Sequence, residues 1–430
     1  MGRQQLREGL IGQATTSARY GAPVSWRSGL ILGIASGALL SACTTATPHP
    51  KHTATSPSTS KPANPTPGGS VTARPSTSAK SQNPDKRRTV TILGSGDVLI
   101  HPPLWEQAHA DAAAQGKSGY DFGPMYAGIA AAMHGVDLAT CEMETPLAPP
   151  QGPFAGWPDF IAPPQVLTAL KHVGYKSCTT ASNHSLDQGY SGVKRTLDEL
   201  DAAGLQHTGS ARTAAEATKP LIMTMPNGVK IAQLAYSFDF NGIPVPAGQP
   251  WLANRIDVPT ILAAAHRAKQ AGADIVVLSM HWGTEYDHLA TQEQQDQAAA
   301  LLASPDIDVI LGDHAHVVQP AQRINGKWVI YCMGNQISRH ADPIAESREG
   351  VMPEFTFTEV APHKFTITKA EAVPTWMDDS PKLRLIDLPV ALADPATPAD
   401  RRATYQRAYD QIATYLDAYG ARTHGFVIDE

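Results

Sequence analysis

Five apolar runs in this chain each stop at a polar cluster, and that repetition limits what the chain can fold into. Residues 89–93 lead into Gly94-Ser95-Gly96-Asp97, and residues 136–140 into Cys141-Glu142-Met143-Glu144. Residues 175–180 lead towards Ser182-Asn183-His184, residues 275–279 into Met280-His281-Trp282-Gly283, and residues 309–311 into Gly312-Asp313-His314-Ala315-His316. Short apolar runs bounded by turn residues read as buried strands. In open α/β sheets, ligands bind beyond the carboxyl ends of the strands. A chain that sets Asp, Glu, Asn and His there repeatedly builds one polar site from distant segments. Between the runs, residues 189–203, 258–270 and 291–303 carry apolar side chains at helical period. Residues 354–360 and 364–371 alternate and read as an antiparallel pair. Alternating elements followed by a late hairpin predict an α/β fold with mixed sheets.

The chain divides by composition. Residues 1–43 read as an address: Arg3, Arg7, Arg19 and Arg27 precede an apolar stretch, 29–40, and then Leu40-Ser41-Ala42-Cys43. The stretch falls short of the roughly 20 apolar residues a spanning helix needs. The last four residues resemble a lipobox with Cys43 as the lipidated residue. That predicts a lipoprotein on the outer face of a bacterial plasma membrane, held there by its acyl chains. Of the 45 residues in 44–88, 24 are Pro, Ser or Thr, so the segment reads as a disordered linker with no core of its own. Residues 89–381 form the predicted domain, and 382–430 a helical C-terminal extension. A net charge of -6 and the lack of a basic stripe exclude nucleic acid as a partner. Beyond Cys43 there remain Cys141, Cys178 and Cys332. Three buried core residues are the first reading, and a Cys141–Cys178 disulfide the second.

The polar clusters carry the candidate chemistry. Asp97 follows a Gly-Ser-Gly turn that lets the backbone bring a carboxylate close to an ion. Glu142 and Glu144 share a face if the segment is extended, so a cation or a proton should lie between them. The Asn183 carbonyl suits a cation, His184 can give or take a proton, and Asp187 can fix its tautomer. Alternatively, Asn183, Ser185 or Asp187 caps the next helix. His281 ends a buried run, with Glu285 and Tyr286 close enough in sequence to orient it. On extended backbone, His314 and His316 would point their imidazoles the same way, a pairing that suits zinc, manganese, iron or nickel. Lys194, Arg195, Arg212, Arg323 and Arg339 lie near these motifs, and most of them read as solvated surface charge.

Taken in order, several stretches resemble the CapA-like capsule-synthesis family, linked to poly-γ-glutamate and similar to the calcineurin-like metallophosphatase superfamily. They are Gly96-Asp97, Met143-Glu144-Thr145-Pro146-Leu147, Ser182-Asn183-His184-Ser185-Leu186-Asp187, His281-Trp282-Gly283-Thr284-Glu285-Tyr286, His314-Ala315-His316-Val317-Val318-Gln319 and Tyr331-Cys332-Met333-Gly334-Asn335. The resemblance implies a sandwich of two mixed β-sheets flanked by helices, with one or two divalent transition metal ions (Mn, Fe or Zn) between the strand ends. It implies that Asp97 and His316 bind one ion, that Asn183, His281 and His314 bind a second, and that Glu144 or Glu142 bridges. His184 would be the general acid. Two positions depart from the pattern: Leu99 stands where metallophosphatases carry a His, and Glu142 where the family carries Asn.

The implied function is capsule or poly-γ-glutamate synthesis or processing through a metal-dependent hydrolase-type site. Its partners would be an anionic envelope polymer such as poly-γ-glutamate, the membrane, and membrane proteins of capsule synthesis. Two other readings stand beside it: a polymer-binding or export factor without turnover, and a secreted metallophosphoesterase.

Overall fold

Alternation along the strands decides the layering. In β1 (Thr89–Val98), Val90 and Ile92 face one core while Leu93 and Val98 face another. In β7 (Ile275–His281), Ile275 and Val277 join the core of Val90, whereas Val276, Leu278 and Met280 face a third. Successive side chains on a strand point to opposite faces, so each strand is buried on both sides. The computed structural model describes residues 87–340 and 345–430. The expected signal segment with Cys43 and nearly all of the expected linker lie outside these residues.

The remaining strands, in chain order, are β2 (Leu138–Met143), β3 (Ser177–Thr179), β4 (Gln206–Thr208), β5 (Leu221–Thr224), β6 (Lys230–Ser237), β8 (Val309–Asp313), β9 (Ala321–Ile324), β10 (Lys327–Ile330), β11 (Asn335–Ile337), β12 (Glu349–Ala361), β13 (Lys364–Asp378), β14 (Arg384–Asp387) and β15 (Phe426–Ile428). The first sheet runs β14-β13-β12-β1-β2-β3-β4, with β11 beside β1 and β15 beside β13. Strands β1 to β4 are parallel, and β12 to β14 antiparallel. The second sheet runs β5-β6-β7-β8-β10-β9, parallel from β6 through β8 to β10, with antiparallel edges. Both sheets are therefore mixed. Their facing sides share one apolar core, in which Ile92 and Leu138 meet Ile231, Val277 and Leu311.

Helices cover the outer faces. Helices α1 (Pro102–Ala114), α2 (Gly123–Tyr126), α3 (Val166–Val173) and α4 (Gly189–Ala203) pack on the first sheet. After the one-turn α5 (Ala214–Ala217), α6 (Val258–Gln270) and α7 (Gln292–Leu302) pack on the second. Asp257 caps α6 through the Thr260 N–H, and Thr291 with Gln294 closes a capping box on α7. The helix after the Asn183 motif has Gln188 at its N-cap with no side-chain bond, so Asn183, Ser185 and Asp187 are not its caps.

Residues 382–430 were expected as a helical extension. They contain α8 (Leu388–Ala393) and α9 (Ala399–Leu416), and they also supply β14 and β15 to the first sheet. Tyr405, Ala408, Ile412 and Leu416 of α9 are buried in the core between the sheets. This segment thus shares a compact unit with the strands before it.

Cys141 and Cys178 sit directly opposite each other on β2 and β3 and form a disulfide, with Cα atoms 4.5 Å apart. This corrects the first reading of three free core cysteines; among the described residues only Cys332 is a buried free thiol. Closing a loop of this length stabilises a chain by about 4 kcal/mol through the unfolded state. Replacing both cysteines by Ala is expected to lower the urea-unfolding free energy by that order, with β2 and β3 still paired.

Glu349, at the start of β12, is buried, and its Oε2 has no hydrogen-bond partner. Burial, reinforced by nearby Glu346, lifts its pKa to about 8. A folded value above the unfolded one favours folding fully below about pH 4.5, and that contribution is lost as the pH climbs through 8. Glu349→Gln should therefore leave stability unchanged at pH 4 and raise it by on the order of 3 kcal/mol at pH 8, read from paired thermal melts.

Candidate metal centre

Two glycines let the site form. A Cβ on Gly96 would lie 1.8 Å from the Gly334 carbonyl oxygen, and one on Gly312 would lie 1.9 Å from that of Tyr331. Only hydrogen fits at either place. The close approach sets Asp97 at the end of β1 opposite Glu142 of β2 and opposite Asn335 of β11. In the second sheet, His281 of β7 is in register with Asp313 of β8. Carboxyl ends of parallel strands from both sheets thus converge, as the apolar runs predicted.

The donors are close and buried. His316 Nδ1 is 3.1 Å from Asp97 Oδ2 and 3.1 Å from Asn335 Oδ1. His281 Nδ1 is 3.6 Å from Glu142 Oε1 and 3.9 Å from Asp97 Oδ1, and His316 Nε2 is 3.7 Å from Glu144 Oε1. The Asn183 carbonyl oxygen stands 3.1 Å from His281 Nε2, a separation that suits a hydrogen bond or two donors on one ion. The His314 ring packs 4.7 Å from that of His281, and its backbone N–H donates to both Asp97 oxygens. Three donor groups result, each with its ligand atoms within 4.8 Å of one another: Asp97–Glu142–His281, Asp97–Glu144–His316 and Glu285–His314–His316. Asp97, rather than either glutamate, is the residue shared between the first two.

The electrostatics of these side chains are unfavourable without a cation. Burial, then the charge of Asp97, pushes Glu142 and Asp313 well above the usual carboxylate range. Burial also lifts Glu144 to about 8, with His316 pulling the other way. Burial drops His281 well below an ordinary imidazole and takes His314 down to about 3, with His316 adding to both. For His316, burial is outweighed by Glu144 and Asp97, which hold it at about 9. Seven buried atoms here have no hydrogen-bond partner: both oxygens of Glu142 and of Glu144, Asp313 Oδ1, His281 Nδ1 and His314 Nδ1. Unpaired buried polar atoms each cost about 1–3 kcal/mol. A cation among them satisfies the carboxylates and the imidazole lone pairs together, so this donor set fits a divalent ion.

His184 Nδ1 lies 2.7 Å from Asp187 Oδ2, which also accepts the Phe160 N–H at 2.8 Å. Burial alone would lower His184, but the Asp187 hydrogen bond and the charges of Glu144 and Asp187 raise it. Asn335, read from its motif, buttresses His316: its amide also donates to the carbonyls of His316 and Ser347.

Several expectations need correction. His314 and His316 do not lie on extended backbone. They follow β8 with φ of 94° and 56°, a left-handed region that costs of order 1–3 kcal/mol per residue and concentrates at functional sites. Glu285 and Tyr286 do not orient His281. Glu285 groups with His314 and His316, and the Tyr286 ring lies 6.2 Å from that of His316. Leu99 is buried. The nearby His101 ring lies 4.8 Å from that of His340, which in turn is 5.2 Å from that of His316. Of the nearby cations, Lys194 pairs with Asp198, Arg212 with Glu216 and Asp201, and Arg195 donates to the Leu147 carbonyl.

Sequence reasoning missed Asp313, Asn241 and His340 as site residues. Asp313 sat inside a quoted motif, and its position at the end of an apolar run was a usable signal. Asn241 contacts Asn183 and His184 from a loop some 57 residues away in sequence, and no local pattern marks it.

A family profile described as bacterial capsule synthesis protein PGA_cap matches residues 91–340. The chain belongs to the PGA_cap family. Within it, this member is 32% identical over 166 residues to the PGA biosynthesis protein CapA of Bacillus subtilis, covering 39% of this chain and 43% of that protein. It is 27% identical over 174 residues to the capsule biosynthesis protein CapA of Bacillus anthracis, covering 40% and 42%. The matched region therefore spans less than half the length of either relative. Among solved structures, the calcineurin-like phosphoesterase YfkN of Bacillus subtilis aligns with a TM-score of 0.41 at 14% identity, covering 76% of this chain and 98% of that one.

Proposed function

We propose that this PGA_cap member is a metal-dependent hydrolase or transferase that acts on poly-γ-glutamate at the outer face of the plasma membrane. The observation that carries the reading is the set of seven unpartnered buried donor atoms around Asp97. Family membership and the names of the two CapA relatives support the polymer.

When bound, a divalent ion such as Mn, Fe or Zn lowers the pKa of water towards neutrality and polarises an acyl oxygen. Asp97, Glu142, Glu144, His281, His314 and His316 would hold it, with Asn183 and Asp313 beside them. The remaining chemistry belongs to His184. Hydrolysis of a γ-amide joins the oxygen of water to the acyl carbon and breaks the carbon–nitrogen bond, with its electron pair going to nitrogen. That nitrogen needs a proton. Asp187 fixes Nδ1 of His184 and raises its basicity, which leaves Nε2 to deliver the proton.

The test uses the full-length chain. Metal analysis should find stoichiometric transition metal, and incubation should shorten poly-γ-glutamate. A chain that holds no such metal and takes none up on addition would falsify the catalytic reading. Anchoring through Cys43 is part of the proposal and rests on the lipobox alone; among the described residues no helix is long and apolar enough to cross a membrane. The chain should fractionate with membranes, and Cys43→Ala should release it. Unchanged fractionation of that variant sinks the anchor.

A further inference from the structure

Tyr286 follows the His281-Trp282-Gly283 turn and is strained and pinned at once. Its φ is 63°, a conformation that bulky residues seldom adopt, and its N–H is held 2.8 Å from the Ala315 carbonyl. Trp282 N–H donates to the Asp313 carbonyl in the same way at 3.2 Å. The loop after β7 is thus laced to the loop that carries His314 and His316. Strain kept in place by such bonds points to a side chain whose position matters.

The hydroxyl has a neighbour in His340. The Asn335 oxygen faces His316 Nδ1 while its NH2 donates to the Ser347 carbonyl at 2.8 Å, so the amide orientation is fixed by its partners. That NH2 also faces His340 Nε2 at 3.5 Å. An amide nitrogen cannot accept, so a proton on Nε2 would find no acceptor there, whereas a proton on Nδ1 would find one. His340 Nδ1 lies 3.3 Å from the Tyr286 hydroxyl oxygen. In the tautomer with its proton on Nδ1, His340 donates to that oxygen, and the phenol's own hydrogen is free for another acceptor. The half-buried Tyr286 ring lies beside His316, with ring centres 6.2 Å apart.

We infer that the Tyr286 hydroxyl donates a hydrogen bond to the substrate oxygen that gains negative charge beside His316, with His340 and Asn335 positioning it. The inference rests on the hydrolase reading for its substrate and deepens it. Such a donor acts on charge that develops in the transition state, so it changes kcat more than KM. Its ligand chemistry is an oxyanion next to metal, for which inorganic phosphate is a probe independent of turnover.

The experiment compares full-length, metal-loaded wild type with Tyr286→Phe, which keeps the ring, and with His340→Phe. Metal content should be unchanged in both variants. On poly-γ-glutamate, Tyr286→Phe should lower kcat about 100-fold with KM nearly constant. Phosphate affinity, measured by calorimetry, should weaken about tenfold. His340→Phe should reproduce a large part of both losses, and the double variant should be little worse than Tyr286→Phe alone, because the two act as one unit. If Tyr286→Phe leaves both kcat and phosphate affinity at the wild-type level, the inference is overturned while the hydrolase reading stands. If the wild type never cleaves the polymer yet its phosphate affinity depends on Tyr286, the hydrolase reading fails and the inference stands. A metal-loaded wild type that binds no phosphate overturns the inference.

Discussion

Stripping divalent ions from the full-length chain will lower its melting temperature by about 6 °C, and adding back Mn, Fe or Zn will restore it. A ligand present at a thousandfold excess over its dissociation constant stabilises the folded state by about 4 kcal/mol. A domain of about 340 residues shifts by roughly 1–2 °C per kcal/mol. The effect should be large because the ion-free state leaves seven buried donor atoms unpaired. Mg should restore little, since imidazole nitrogens favour the later transition metals over hard oxygen-seeking ions. His281→Ala removes a side chain that belongs to the same donor group as Asp97 and Glu142, and it should make the melting temperature insensitive to chelator. Calorimetric scans of both chains with and without chelator decide the matter. A wild-type midpoint unmoved by chelation would remove the cation from the account.

His184→Ala will cut polymer cleavage by about 10²–10⁴-fold, the range for loss of a positioned general acid, while metal content stays at the wild-type level. His184 is absent from the three donor groups, so its removal should spare the ion. The same geometry fixes the sign of the pH response. The Asp187 bond and the charge of Glu144 raise the His184 pKa against its burial. The proton-donating form therefore persists above the pH at which an ordinary imidazole has lost it. The alkaline limb of kcat should lie above pH 6.5 and move to lower pH in Asp187→Asn. If His184→Ala loses its metal as well, the residue is a ligand and the acid role falls.

Much of the fold was legible because it is written locally. Residues 189–203 and 258–270 read as helices from their period and are α4 and α6 with the same bounds. The mixed sheets followed from alternating runs and the late hairpin, now β12 and β13. What failed depends on partners far away in the chain. The Cys141–Cys178 bond requires the register of β2 against β3, which neither run specifies. The imidazole pair reads as extended because residues two apart share a face of a strand. The strand in fact ends at Asp313, where the backbone turns left-handed to bring His314 and His316 back over Asp97. Residues 382–430 looked helical because α9 dominates them. β14 and β15 are only four and three residues long, and they become strands by pairing with β13. Within the site, side-chain types at run ends gave most of the donors, but not the sharing of Asp97 between two groups. That sharing comes from two sheets meeting, and no single segment contains it.

The two sheets also contribute their donors in a fixed chain order. Asp97, Glu142 and Glu144 come early, and His281, His314 and His316 late. A growing or threading polypeptide offers only half a nest until residue 316 has emerged and the second sheet has closed on the first. Ion choice is then made where folding finishes, from whatever that compartment supplies. For a chain that crosses a membrane unfolded, the cytosolic metal pool would have no vote.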